Sequence, residues 1–171
     1  MKKGLLFLVL AIVIVLLAWL LLGKGTPVGA PADTTANVPD GPVPFEVLKE
    51  GANAATVTEG KNYRIQSEEQ LAALWELIYG TEGAPAMPAV DFSKEEILAV
   101  FSGQKKSGGY DVSIKEVMQK NGMRVVTIVH EAPGDGCSMT DALTSPFELI
   151  RVPVGTDNLT HQDEEVVESC S

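Results

Sequence analysis

GGYDVSIKEVMQKNGMRVVTIVHE, residues 108–131, contains the clearest β-hairpin pattern of the chain. Tyr110, Val112 and Ile114 alternate with polar residues, which is typical of a strand with one buried face. Asn121-Gly122 separates this run from the apolar run Arg124–Glu131, and an Asn-Gly pair at such a place favours a two-residue hairpin turn. The stretch therefore predicts two long antiparallel strands.

An amphipathic helix is predicted before this hairpin. Residues 67–70 (Ser-Glu-Glu-Gln) form a capping box, which marks the first turn of a helix. One helical face then carries the apolar residues Leu71, Leu74, Trp75 and Ile78. Gly80 supplies the stop. Because a helix of this kind is stable only when its apolar face is covered, we expect it to pack on a sheet.

Four more strands are predicted on either side of the helix and the hairpin. Their segments are Phe45–Leu48, Asn62–Gln66, Ile97–Phe101 and Pro146–Val152. One helix followed mainly by strands with short connections predicts an α+β domain. We expect a mostly antiparallel β-sheet, open or curled into a barrel, packed by one amphipathic helix.

The first 23 residues have the composition of a membrane anchor. Leu5–Leu22 contains no charged or strongly polar side chain, and as a helix it would nearly span the ~30 Å hydrocarbon core of a bilayer. Lys2 and Lys3 precede this span, which places the N-terminus in the cytoplasm. We expect a single-pass membrane protein with an extracytoplasmic C-terminal domain. Whether the anchor is cleaved is left open.

Four segments follow from these patterns. A membrane anchor at 1–23 is followed by a Pro/Gly-rich linker at 24–43, an extracytoplasmic domain at 44–153 and an acidic C-terminal tail at 154–171. The net charge of −10 excludes a basic surface for nucleic acid. Cys137 and Cys170 are the two cysteines, and an oxidising compartment would permit a disulfide between them. The sequence does not settle whether they pair.

Two loops are dense in residue types that functional sites use, and neither has the pattern of an active site. In QKKSGGYDV, residues 104–112, two adjacent glycines lead into a strand, whereas a phosphate loop leads into a helix. EAPGDGCSMT, residues 131–140, has turn chemistry and lacks the ligand spacing of a calcium loop. His130 and His161 belong to no G-x-S-x-G or H-E-x-x-H motif. We therefore expect no catalytic residue, no cofactor and no metal.

Several motifs, in one order along the chain, resemble the C-terminal domain of the protease complex subunit PrcB family. The resemblance covers about residues 70–153 and includes Ser-Gly-Gly-Tyr, Pro-Gly-x-Gly-Cys and Leu-Thr-x-Pro-aromatic elements. The motif positions are Ser107, Gly108, Gly109, Tyr110, Pro133, Gly134, Gly136, Cys137, Thr144 and Pro146.

Two functional hypotheses follow. The resemblance implies a non-catalytic extracytoplasmic domain that binds a protein partner, in some family members as an accessory subunit of a secreted or surface protease. The alternative is a small-ligand-binding or enzymatic domain that uses the SGGY and PGDGC loops as one site. A site would gather Ser107, Tyr110, Asp135, Cys137 and Thr144 around a concave pocket, whereas a scaffold would use them in tight turns.

Overall fold

Eight strands and one helix make up the described part of the chain. The computed structural model describes residues 39–155 and 158–169. The elements are β1 (Gly41–Pro42), β2 (Glu46–Gly51), β3 (Lys61–Ile65), α1 (Glu68–Tyr79), β4 (Glu95–Phe101), β5 (Asp111–Lys120), β6 (Met123–Pro133), β7 (Phe147–Pro153) and β8 (Leu159–Glu168).

The strands form two four-stranded sheets. The outer sheet has the order β1-β5-β6-β8, and the central sheet has the order β2-β7-β4-β3. All neighbouring strands are antiparallel except β6 and β8, which are parallel. The β5–β6 hairpin turns at Asn121 and Gly122, whose φ angles of 51° and 72° are those of the turn that an Asn-Gly pair favours.

The central sheet is covered on both faces, which explains why β4 is apolar from Ile97 to Phe101. Ile97, Ala99 and Phe101 pack with the buried face of α1. Leu98 and Val100 point the other way, because successive side chains of a strand alternate, and they pack against the outer sheet. The described fold is thus three layers: helix, central sheet and outer sheet.

Helix α1 has the bounds and the face that its sequence predicts. The Ser67 side chain accepts a hydrogen bond from the Gln70 N–H, and Gly80 ends the helix with a φ of 76°. The four apolar residues of its predicted face are the buried ones, Leu71, Leu74, Trp75 and Ile78. The helix therefore covers one face of the central sheet.

The predicted fold class needs correction. The described chain is mostly β-sheet with one short helix, as expected, but its strands form two packed sheets rather than one open or closed sheet. The segment predicted as an acidic tail contains β8, which pairs along its whole length with β6. Periodicity could not reveal this strand, since all ten of its residues are exposed and no apolar alternation marks a buried face.

The membrane helix in the predicted fold class also needs correction. Within residues 39–155 and 158–169, no helix is long and apolar enough to cross a membrane. The proposed span, Leu5–Leu22, lies outside these residues. The structure therefore gives the predicted membrane helix no support.

Candidate functional site

The two motif loops lie side by side at one end of the molecule. The Thr144 side-chain hydroxyl donates to the Ser107 carbonyl oxygen at 2.8 Å, and the Gly108 N–H donates to the Thr140 carbonyl oxygen at 3.1 Å. Lys105 and Thr144 exchange two backbone hydrogen bonds. The SGGY loop and the loop after β6 are thus joined largely through their backbones.

Two motif glycines allow close contacts at this end. Gly109 has a φ of +83°, a conformation that side chains disfavour, and a Cβ there would meet the end of Met139. Gly134 donates its N–H to the Glu168 carbonyl oxygen at 2.9 Å, and a Cβ on Gly134 would collide with that same oxygen. The second contact ties the loop after β6 to the last residue of β8.

The remaining motif residues take structural positions. Tyr110 is half-buried, and the Lys105 ammonium lies 5.6 Å from its ring centroid. Pro133 is the last residue of β6, and the Pro146 carbonyl oxygen accepts from the Ser102 N–H at 3.0 Å. Gly136 and Asp135 are exposed in the turn between them. The loops come together as the alternative hypothesis required, but their contacts are those of packed turns.

Cys137 lies beside the end of β8. Its Sγ is 3.9 Å from the Glu168 carbonyl oxygen, and Cys137 is disulfide-bonded. Cys170 lies outside the described residues, so the pairing of Cys137 with Cys170 stays a prediction.

Two serine hydroxyls and both histidines, which could in general serve as nucleophiles and bases, have other partners. The Ser107 and Ser145 hydroxyls donate to the carbonyl oxygens of Gly108 and Val57. Both histidines contact Asp163: His130 Nε2 is 3.1 Å from Oδ1, and His161 Nδ1 is 2.9 Å from Oδ2. Within the described residues, no group of three or more His, Cys, Asp or Glu side chains could hold a metal ion.

Strand β8 is fully exposed and is the most exposed element of the described chain. It lies in the segment that the sequence predicts as an acidic tail. Val126 and Ile128 of β6 are buried between the sheets, and they are in register with His161 and Asp163 of β8. The odd-numbered residues of β8 therefore share the inward face, toward the central sheet. All ten residues of β8 are exposed nonetheless.

An apolar groove opens beside β8 between the edges of the two sheets. It has a volume of about 190 Å³ and is lined by residues of β3, β4, β6 and β8. Leu98 and Val100 form one wall, Val126 and Ile128 form another, and Leu159–His161 forms the rim. The groove therefore joins the inward face of β8.

The charge of β8 is strongly negative. Asp163, Glu164, Glu165 and Glu168 are four of its ten residues, and it contains no lysine or arginine. Lys115 of β5 reaches Glu164 at 2.8 Å, and this hydrogen bond raises the pKa of the Lys115 ammonium. The strand thus presents a regular backbone edge with an acidic surface.

Comparison with known proteins gives one match. No curated protein and no solved structure matches the chain significantly. Residues 97–153 match the family model described as PrcB C-terminal, and this span contains the ten motif positions from Ser107 to Pro146 named in the sequence analysis.

Proposed function

We propose that this protein is a non-catalytic binding or assembly domain that acts outside the cytoplasm as an accessory subunit of a protease. The match of residues 97–153 to the PrcB C-terminal family supports association with a protease complex. The proposal assigns the domain a protein partner and gives it no peptidase activity of its own.

One observation carries the non-catalytic part of the proposal. The motif loops pack on each other: the Thr144 hydroxyl donates to the Ser107 carbonyl oxygen, the Gly108 N–H donates to the Thr140 carbonyl oxygen, and their glycines permit the close approach. Side chains used for turns and loop packing are expected of a scaffold. A catalytic loop would instead hold a nucleophile and a base in hydrogen-bond contact.

The disulfide of Cys137 supports the proposed location. Disulfides form and persist in oxidising compartments and are rare in the cytosol. The net charge of −10 suits a soluble surface in any compartment, so the location rests on the disulfide.

Co-purification tests the proposal. The full chain, carrying an affinity tag, is purified from the cells that make it after mild crosslinking, and the eluate is assayed with a fluorescent casein substrate. We expect casein cleavage in this eluate and none from the same chain produced alone in a foreign host. Mass spectrometry of the crosslinked band should then identify a peptidase.

The Ser107→Ala variant serves as the matched control, since it removes the hydroxyl of the motif loop. We expect it to co-purify with the same peptidase activity as the parent chain. If the chain produced alone cleaves or binds a substrate and Ser107→Ala abolishes this, the alternative hypothesis is correct. An eluate without peptidase activity would contradict the accessory role.

A further inference from the structure

Strand β8 has the properties of an edge that accepts another strand. Within residues 39–155 and 158–169 it pairs with β6 alone, so its second edge has no strand beside it. Natural edge strands are usually protected by short length, by proline, by a bulge, or by charged side chains, including charges that point inward. β8 has ten residues, lacks proline and lysine, and keeps an unbroken register with β6. Its protection therefore consists of acidic side chains such as Asp163 and Glu165, which disfavour an acidic strand at this edge but not a basic one.

The direction of the backbone groups on β8 follows from two hydrogen bonds. The carbonyl oxygens of Asn158 and Glu168 both accept from the β6 side, from Arg124 N–H and Gly134 N–H. Because residues alternate along a strand, the even-numbered residues of β8 direct their N–H and C=O groups toward β6. His161, Asp163, Glu165 and Val167 therefore direct theirs toward the free edge.

The charges of β8 determine which kind of strand can bind at that edge. A second copy of β8 would place carboxylates beside carboxylates, and like charges on neighbouring strands destabilise the pair. A lysine- or arginine-bearing strand would face Glu165 and Glu168 favourably. The exposed Val166 and Val167, 41% and 70% accessible, add apolar contact at the same end.

We propose that the free edge of β8 binds an extended, basic segment of the protein partner, which adds to the outer sheet as a fifth strand. Main-chain hydrogen bonds from the odd-numbered residues would hold it, and its inward side chains would lie toward the groove beside Leu159. This inference rests on the proposed function, because it names the surface through which the accessory domain binds.

The test uses the full chain and a synthetic peptide of alternating lysine and valine. Fluorescence anisotropy measures binding, and amide hydrogen exchange followed by NMR locates it. We expect the peptide to slow exchange at His161, Asp163, Glu165 and Val167, with little change at the even-numbered amides that already bond to β6. Added salt should weaken binding, because it screens exposed charges.

Two variants at position 165 distinguish the contribution of the backbone hydrogen bond to peptide binding from that of the side-chain charge. Glu165→Pro removes a free-edge N–H and the charge, whereas Glu165→Gln removes the charge alone. Proline is tolerated on an edge strand where its N–H would face outward, so both variants should melt like the parent chain. We expect Glu165→Pro to bind the peptide about tenfold more weakly than Glu165→Gln.

Several results would overturn the inference. Equal binding by Glu165→Pro and Glu165→Gln would exclude strand addition, as would equal binding of a peptide of alternating glutamate and valine. Slow exchange of the odd-numbered amides without peptide would mean that another segment of the chain, or a second copy, already occupies the edge. If Glu165→Pro unfolds, the parent chain alone tests the inference. Failure of the peptide to slow amide exchange at the odd-numbered residues of β8 in the parent chain would overturn it.

The test of the β8 edge and the test of the proposed function can fail independently of each other. Peptidase activity that co-purifies equally with the parent chain and with Glu165→Pro would refute the β8 surface and leave the accessory role intact. Peptide binding at the β8 edge without any co-purifying peptidase would refute the accessory role alone.

Discussion

At the scale of single residues, Glu148 is a carboxylate in a costly position. It lies on β7, is 5% exposed, and faces the outer sheet, where it accepts a 2.6 Å hydrogen bond from the Ile114 N–H. This bond falls at the irregularity in β5 between Ile114 and Glu116. Burial raises the pKa of the Glu148 carboxyl, the hydrogen bond opposes that shift, and repulsion from Glu50 and Asp111 adds to it.

The raised pKa of Glu148 predicts how stability depends on pH. A carboxyl whose pKa is higher in the folded than in the unfolded state favours folding fully below its ordinary value, 4.5, and loses that contribution as pH rises through the raised pKa. The Glu148→Gln variant has no carboxyl at this position, so rising pH does not lower its stability in this way. We therefore expect the melting temperature of Glu148→Gln, relative to the parent, to rise with pH across that window.

The control for this prediction is Glu82→Gln, which changes an exposed loop residue. Its melting temperature relative to the parent chain should stay constant over the same pH range. A constant difference for Glu148→Gln as well would show that this carboxyl keeps its ordinary pKa in the folded chain.

At the scale of elements, Glu96 joins the two sheets near one end. It is the second residue of β4, has no exposed surface, and accepts from Arg124 of β6 and Arg64 of β3, both at 2.8 Å. Gln66 adds a third donor at 3.1 Å. Arg124 is 1% exposed, and burial lowers the pKa of its guanidinium while Glu96 opposes that shift. The carboxylate therefore compensates a buried cation between the layers.

Removing Glu96 should be strongly destabilising. Glu96→Ala leaves Arg124 buried without its carboxylate, and breaking a buried ion pair from one side costs about 3–5 kcal/mol. Urea unfolding measures this free energy. Glu46→Ala is the matched control, because it removes the exposed carboxylate bound to Arg151 on the neighbouring strand β7 and should change stability much less. Similar midpoints for both variants would contradict the role of Glu96.

Sequence patterns predicted the elements that carry a regular apolar spacing or a continuous apolar run. Helix α1, the β5–β6 hairpin and the apolar strand β4 all follow from spacing, caps and turn residues. The packing of the sheets did not follow, because β4 and β7 are buried on both faces and their sequences do not say which layer lies on which side. The acidic edge at Asp163 and Glu165 was missed because an edge strand with no buried face carries no periodic signal.

At the scale of the whole molecule, the disulfide-bonded Cys137 lies at the end that carries the motif loops. The loop after β6 and the end of β8 meet there, at Gly134 and Glu168. Reduction should lower the free energy of unfolding by about 2–5 kcal/mol, as removal of a disulfide does in small secreted domains. Melting curves with and without reductant measure the loss, and peptide mapping should identify Cys170 as the partner. Two free thiols in the protein from its native compartment would contradict this.

The exposure of β8 also means that the strand can detach at little cost to the rest of the fold. None of the ten β8 side chains is buried. Separation of β8 from β6 therefore breaks hydrogen bonds but removes no residue from the two hydrophobic clusters that lie on either face of the central sheet. Local openings of this kind have free energies below that of global unfolding. The disulfide at Cys137 lies where the released strand ends. Because β8 belongs to the same chain as β6, it stays at high effective concentration beside β6 after such an opening, which favours its return.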